Sequence, residues 1–242
     1  MTDISETNID CLNCGSVFQG SFCHQCGQKK SAPISLQRLY KDVIDQLSEL
    51  DFSFWHTLRD LIKSPGKMVD AYLKGRRKYY TSPIRFSFIF VTIWVIFALS
   101  FIFTEQTISQ PEILQGTRNG IGFISYVMYI FIFPVAWIQS KLLSKNQYSL
   151  IECYVFLLYQ YAIWSLITLV CSIPLMFFME PIPMLGLINI PKFFWFIYAL
   201  KSFHNHGWSR TIFSSLLIFI SYIVISMLTL SSLSFMTMIV SS

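Results

Sequence analysis

Polar positions become scarce from Ile84 onward. Apolar runs at 84–103, 121–138, 151–177, 184–200 and 212–230 alternate with short charged stretches. Each is close to or longer than the roughly 20 helical residues that cross a hydrocarbon core of about 30 Å, so the pattern predicts about five transmembrane helices. Ahead of them the pattern is periodic. Leu36, Leu39, Tyr40, Val43, Ile44, Leu47 and Leu50 recur at three- and four-residue steps, with Arg38, Lys41, Asp42, Asp45 and Glu49 between them, as on a helix with one apolar face. Phe54, Trp55, Leu58, Leu61 and Ile62 mark a second amphipathic piece that stops near Ser64-Pro65-Gly66. Ser64 as N-cap and Pro65 at the first helical position start a third, which Gly75 can end. The expected architecture is an all-α polytopic membrane protein in three parts: a head over 1–30, juxtamembrane amphipathic helices over 31–83, and a membrane domain over 84–242.

The head is set apart by cysteine. Cys11-Leu-Asn-Cys14-Gly15 is followed by seven residues and then by Cys23-His-Gln-Cys26-Gly27. Each pair can present two thiolates from one tight turn, and the glycine after it supplies the backbone freedom that such a turn requires. Four sulfurs then suit one tetrahedral Zn2+, in a small zinc ribbon or paired-knuckle module. Val17, Phe18 and Phe22 around Gln19-Gly20 suggest a short hairpin with the cysteine pairs at its ends. Redox chemistry needs only one such pair and is usually set in a βαβ pattern that this segment lacks. Four protein ligands leave no position for water or substrate, so the zinc is expected to be structural. His24 reads as an exposed turn residue, and Cys153 and Cys171, in apolar surroundings, as small core residues.

Composition and charge refine this outline. With 54% hydrophobic and 13% charged residues, the chain lacks the polar surface of a soluble domain of its length. Much of the net charge of +5 lies in Lys74, Arg76, Arg77 and Lys78, next to the first span, where anionic lipid headgroups attract cations. With Tyr79 and Tyr80 they form a candidate headgroup and interface site. Membrane lipid is therefore the expected partner. Nucleic acid is disfavoured, because the head carries Asp3, Glu6 and Asp10 and no cation before Lys29. Residues 1–10 lack a basic leader and an apolar core, which predicts a cytosolic N-terminus. Basic stretches then alternate with acidic ones along the loops, and an odd number of spans places the C-terminus outside.

The residues also resemble a known family. Its marks are Cys11-x-x-Cys14-Gly15, Phe18-x-Gly20-x-Phe22-Cys23-x-x-Cys26-Gly27-Gln28 and Asp51-Phe-Ser-Phe-Trp-His-Thr57-Leu58. They continue through Leu61-x-x-x-Pro65-Gly66, Tyr72-Leu-x-Gly75-Arg76-Arg77-x-Tyr79-Tyr80 and Pro83-x-x-Phe86. In this order they resemble the domain of unknown function 3667 family, bacterial multi-pass membrane proteins that commonly begin with a four-cysteine zinc-binding head. The resemblance implies a bacterial inner-membrane location and supports the zinc head. It brings no activity.

Few other residues suggest chemistry. Lys192 falls inside the fourth apolar run, where an ammonium costs several kcal/mol unless it reaches the interface or a partner, and Glu180 across the short outer turn is a candidate partner. Pro174, Pro181, Pro183 and Pro191 interrupt the third and fourth runs, as in helices that line transporter sites. His204 and His206 lie in what reads as a solvated inner loop, with Glu152 the remote third group that a lipid-modifying enzyme would need. His56 and Asp60, four apart, read as an ordinary surface pair. Glycine-rich phosphate loops, HExxH and a nucleophile elbow do not occur. The leading expectation is a scaffold that recruits or senses a protein partner through the zinc head or the amphipathic helices, with homo-oligomers open to it. A transporter or channel component and a lipid-modifying enzyme are the alternatives.

Overall fold

The computed structural model describes residues 8–30, 52–105, 111–144, 148–175, 177–178, 181–204 and 206–241, without the side chains of 52, 101–105, 111–121, 124, 144, 181–185 and 229–241. The amphipathic helix expected over 36–50, and Glu180, lie outside the described residues.

Two short strands, β1 (Ile9–Asp10) and β2 (Val17–Phe18), belong to the head. The other elements among the described residues are helices: α1 (Phe52–Lys63), α2 (Pro65–Leu73), α3 (Pro83–Glu105), α4 (Pro111–Gln139), α5 (Leu150–Leu175), α6 (Pro181–His204) and α7 (Trp208–Ser241). The breaks near Pro65 and Gly75 fall where the sequence places them. Pro65 opens α2 after Ser64. Gly75, at φ +114°, closes it while the amide of Arg76 donates back to the carbonyl of Ala71, a left-handed stop that suits glycine.

Among the described residues, four stretches are long and apolar enough to cross a membrane: Pro83–Ser100, Ser125–Leu143, Leu150–Leu175 and Trp208–Leu228. The run read as the fourth span, 184–200, lies within the continuous helix α6. Pro134, Pro174 and Pro191 lie inside α4, α5 and α6 without ending them, so Pro191 does not divide α6.

The centre of the bundle is α5, with 67% of its apolar window buried against 28% for the window of α7. It packs against α3, α4 and α6, and α7 closes on α4 and α6. Cys153 through Trp164 form an unbroken buried run. Ile96, Phe123, Ile130, Phe194 and Phe213 point outward instead. Large apolar side chains on the outside of helices that are also apolar inside match a lipid solvent rather than water.

The juxtamembrane helices are joined to this bundle. The Tyr159 hydroxyl on α5 donates to the carbonyl of Thr81 at 2.6 Å, and the Thr81 amide donates to Thr57 Oγ1 on α1 at 2.8 Å. Tyr198 on α6 donates to the carbonyl of Lys63 at 2.7 Å. At Gly66 the backbone of α2 meets that of α6, and the Gly66 amide donates to Ser202 Oγ at 3.1 Å. A Cβ at Gly66 would fall closer than 3.0 Å to the carbonyl group of Ser202 and the amide nitrogen of Phe203.

The inner loop around His204 and His206 is a correction to the sequence reading. It is not a solvated loop: α6 continues through His204, which is 3% exposed. α4 ends in a π-helical turn, Ser140–Ser144. Its carbonyls at Leu142 and Leu143 accept hydrogen bonds from Arg210 Nη2 and His206 Nε2, each at 2.9 Å. Helix ends leave such carbonyls unpaired, and here His206, between α6 and α7, and Arg210, on α7, supply the donors.

Candidate metal centre

Each cysteine pair forms the same backbone knuckle. The Gly15 amide donates to the Cys11 carbonyl at 2.8 Å, and the Cys11 amide to the Ser16 carbonyl at 2.9 Å. The second copy repeats both bonds, from Gly27 to Cys23 at 2.9 Å and from Cys23 to Gln28 at 2.8 Å. Gly15 and Gly27 take φ of +77° and +70°, the left-handed conformation that the CxxCG spacing suggests.

The hairpin expected between the pairs is not present. Ile9 pairs with Phe18 and Asp10 with Val17 across the first knuckle, and a Phe22–Lys29 bridge closes the second. Each cysteine pair therefore sits at the tip of its own ladder. The knuckle itself reverses the chain, so strands pair on either side of it.

The ligand atoms of Cys11, Cys14, Cys23 and Cys26 all lie within 4.8 Å of one another. Cys11 Sγ is 3.6 Å from Cys26 Sγ, and Cys14 Sγ is 3.6 Å from Cys23 Sγ. A tetrahedral zinc with Zn–S bonds of about 2.3 Å requires sulfur separations of roughly 3.8 Å. The four residues fit such an ion in number, chemistry and spacing. An ion bound here would supply a crosslink between the two knuckles.

Ser16 Oγ lies between the sulfurs, 2.9 Å from Cys14 and 3.1 Å from Cys23. Its hydroxyl is the main cause that pulls the Cys23 thiol down to about 6, and it lowers that of Cys14 as well. Burial pushes Cys26 up to about 11. Cys11, Phe18 and Cys23 form the small buried core of the head, while His24 is exposed as expected.

The head rests on the basic run. Gln28 Nε2 donates to the Gly75 carbonyl at 2.8 Å, and Gln28 Oε1 accepts from the Lys78 amide at 3.2 Å. Asn13 Oδ1, inside the first knuckle, accepts from the Tyr79 amide at 3.1 Å. These two residues were missed as site residues. Their places beside the cysteines, and for Gln28 its place among the residues that carry the family resemblance, are the signals in the sequence, and neither names a target.

The run itself is partly internal. Lys74 pairs with Asp70 at 2.6 Å, and Arg76 lies over the Tyr79 ring at 5.1 Å. Tyr79 stacks on His56, with ring centroids 4.8 Å apart. Tyr80 is buried and its hydroxyl donates to Asp60 Oδ2 at 3.1 Å; burial first, then the Asp60 charge, push that hydroxyl up to about 12. His56 and Asp60 thus bind the turn rather than each other. Lys74, Arg76 and Lys78 are exposed and Arg77 is half-buried.

Residues 51–95 match the family model described as "Protein of unknown function (DUF3667)". Over these residues the chain is similar to that family. It takes in α1, α2, the basic turn and the first half of α3, so Gly66, Gly75 and Thr81 all lie within it. The cysteine head lies before the matched DUF3667 residues and docks on them. No curated protein and no solved structure matches the chain.

The other candidates are not gathered into one site. Lys192 is half-buried on α6, remote in sequence from the head. Glu152 forms a capping box with Ser149 at the start of α5: its carboxylate accepts from the Ser149 amide at 2.7 Å, and its amide donates to Ser149 Oγ at 3.3 Å. His206 is engaged with Leu143. The Gln139 side-chain amide nitrogen donates to His204 Nε2 at 3.1 Å. The two histidine rings stack in parallel, 5.9 Å apart. The arrangement serves helix ends.

Proposed function

We propose that the protein is a scaffold of the bacterial inner membrane whose cytosolic head holds a structural zinc through Cys11, Cys14, Cys23 and Cys26 and recruits or senses a protein partner. The observation that carries this reading is the closed four-sulfur cage, with all ligand atoms within 4.8 Å. Four protein ligands leave no coordination site for a substrate, which favours a recognition role over a catalytic one. Leu12, Val17 and Phe22 support it as well: all three are large apolar side chains more than half exposed on this small head, in keeping with a surface that binds another chain. The basic run before α3 supports an N-terminus inside and a C-terminus outside, with Lys74, Arg76 and Lys78 facing lipid headgroups.

The test has two steps. Full-length protein purified in detergent should contain about one zinc per chain by elemental mass spectrometry, lost on Cys11→Ser with Cys14→Ser. Intact cells should then leave Cys11 unlabelled by a membrane-impermeant thiol reagent. A partner captured by the wild type and lost with Leu12→Ser and Phe22→Ser would support recruitment. Zinc-free protein with reduced thiols, or Cys11 labelled from outside, would refute the proposal.

A further inference from the structure

We infer that the cysteine head is a metal-dependent lock on the Gly75–Tyr79 turn: ligation holds Asn13 and Gln28 on the main chain of that turn, and metal loss releases it. The inference rests on the reading that the cysteines hold a metal. Its own evidence is where the clasping side chains originate. Asn13 lies between Cys11 and Cys14, and Gln28 follows Cys26-Gly27, with its carbonyl receiving the Cys23 amide. Both side chains therefore project from knuckle backbone whose shape ligation would fix.

The head has little else to keep that shape. Its ladders comprise two residue pairs and one isolated bridge, and its buried core is Cys11, Phe18 and Cys23. Structures of that size depend on a crosslink, and in small metal domains the binding free energy is folding free energy. Loss of the ion should therefore disperse Asn13 and Gln28 and withdraw three hydrogen bonds from the turn together. The amides of Lys78 and Tyr79 would lose their acceptors. Gly75, buried under the head, would become accessible.

The turn is a meaningful thing to lock. It carries Arg76, Arg77 and Lys78, and Thr81, pinned to both α1 and α5, lies two residues before the start of α3. A clasped turn holds these cations in one place at the membrane surface. An unclasped one leaves them free to rearrange.

The experiment uses full-length protein in nanodiscs, loaded with zinc or stripped by a chelator, and metal content is measured first. A wild-type protein without metal overturns the cage reading, and the lock with it, before any protease is added. With metal present, limited trypsin digestion reads cleavage after Arg76, Arg77 and Lys78. Stripping should speed it by about tenfold or more, the equivalent of about 1.4 kcal/mol. The Asn13→Ala, Gln28→Ala double variant should keep its metal and be cut at the fast rate. Hydrogen exchange of the wild type gives a second readout that needs no variant: stripping should expose the Lys78 and Tyr79 amides while those of α3 stay protected. Equal cleavage and exchange with and without metal, or a metal-loaded double variant cut as slowly as the wild type, would overturn the lock.

Discussion

Replacing Gly66 by alanine tests the junction between the segment that matches the DUF3667 model and the membrane bundle. The added methyl would fall closer than 3.0 Å to the Ser202 carbonyl and the Phe203 amide, whereas carbon contacts are comfortable at about 3.5–4.0 Å. These obstacles are backbone, so no rotamer change clears them and α2 must retreat from α6 by roughly 1 Å. A gap of that size forfeits about a quarter to a half of each dispersion contact, and the side chains affected include Met68, Val69 and Tyr72, all buried. Overpacking of this kind costs about 1–3 kcal/mol. Loss of the bond from Gly66 to Ser202 adds about 0.5–1.5 kcal/mol, and the better helix propensity of alanine returns about 1 kcal/mol. The net loss is about 1–3 kcal/mol. In a chain of this length a loss of about 2 kcal/mol lowers the melting temperature by roughly 4–8 °C, measurable by intrinsic fluorescence in detergent at one fixed heating rate. Lys67→Ala, at an exposed neighbour, should change stability by no more than about 0.5 kcal/mol. Ser202→Gly should not rescue Gly66→Ala, because the Ser202 carbonyl remains. A Gly66→Ala protein that melts with the wild type would refute the close backbone contact.

Three further perturbations probe other parts of the argument. Ser16→Ala removes the hydroxyl that lowers the Cys23 and Cys14 thiols; a depressed thiol is deprotonated, and able to bind metal, until the pH falls through its lowered value, so the variant should release metal at higher pH. The midpoint of metal release should move upward, read from the thiolate absorption of the cobalt-substituted protein, and an unmoved midpoint rejects the role. Tyr159→Phe strips a donor from the buried Thr81 carbonyl and should destabilise the protein by about 1–3 kcal/mol; a wild-type melting curve would count against the pin between α1, Thr81 and α5. Glu152→Ala should cost about 1 kcal/mol through the lost capping box, while leaving metal content unchanged; a variant with altered metal content would contradict a purely structural Glu152.

Some of this molecule is written locally. The CxxCG repeat announces its cysteine cage, since the ligands of each pair are three residues apart and the following glycine permits the turn. Pro65 and Gly75 mark the ends of α2 through backbone constraints carried by single residues. The apolar runs locate the long helices but not all their ends: α4 begins ten residues before the run at 121–138 and α7 continues eleven past the run at 212–230, because hydropathy marks apolar side chains and a helix can continue through polar ones.

Tertiary structure decided which of these pieces meet. The bond from Gln28 to Gly75 joins residues 47 apart, and that from Gly66 to Ser202 joins residues 136 apart. No periodicity encodes such pairings, because a side-chain amide or a glycine has the same local signature whatever lies opposite it. For the same reason Tyr80, which reads as an interfacial anchor, is turned inward to Asp60, and His204 is buried beneath the end of α4. Local chemistry determined the elements and their cysteine cage, while hydrogen bonds from the Asn13 and Gln28 side chains to backbone far along the chain determined that the cage sits on the turn leading into the membrane.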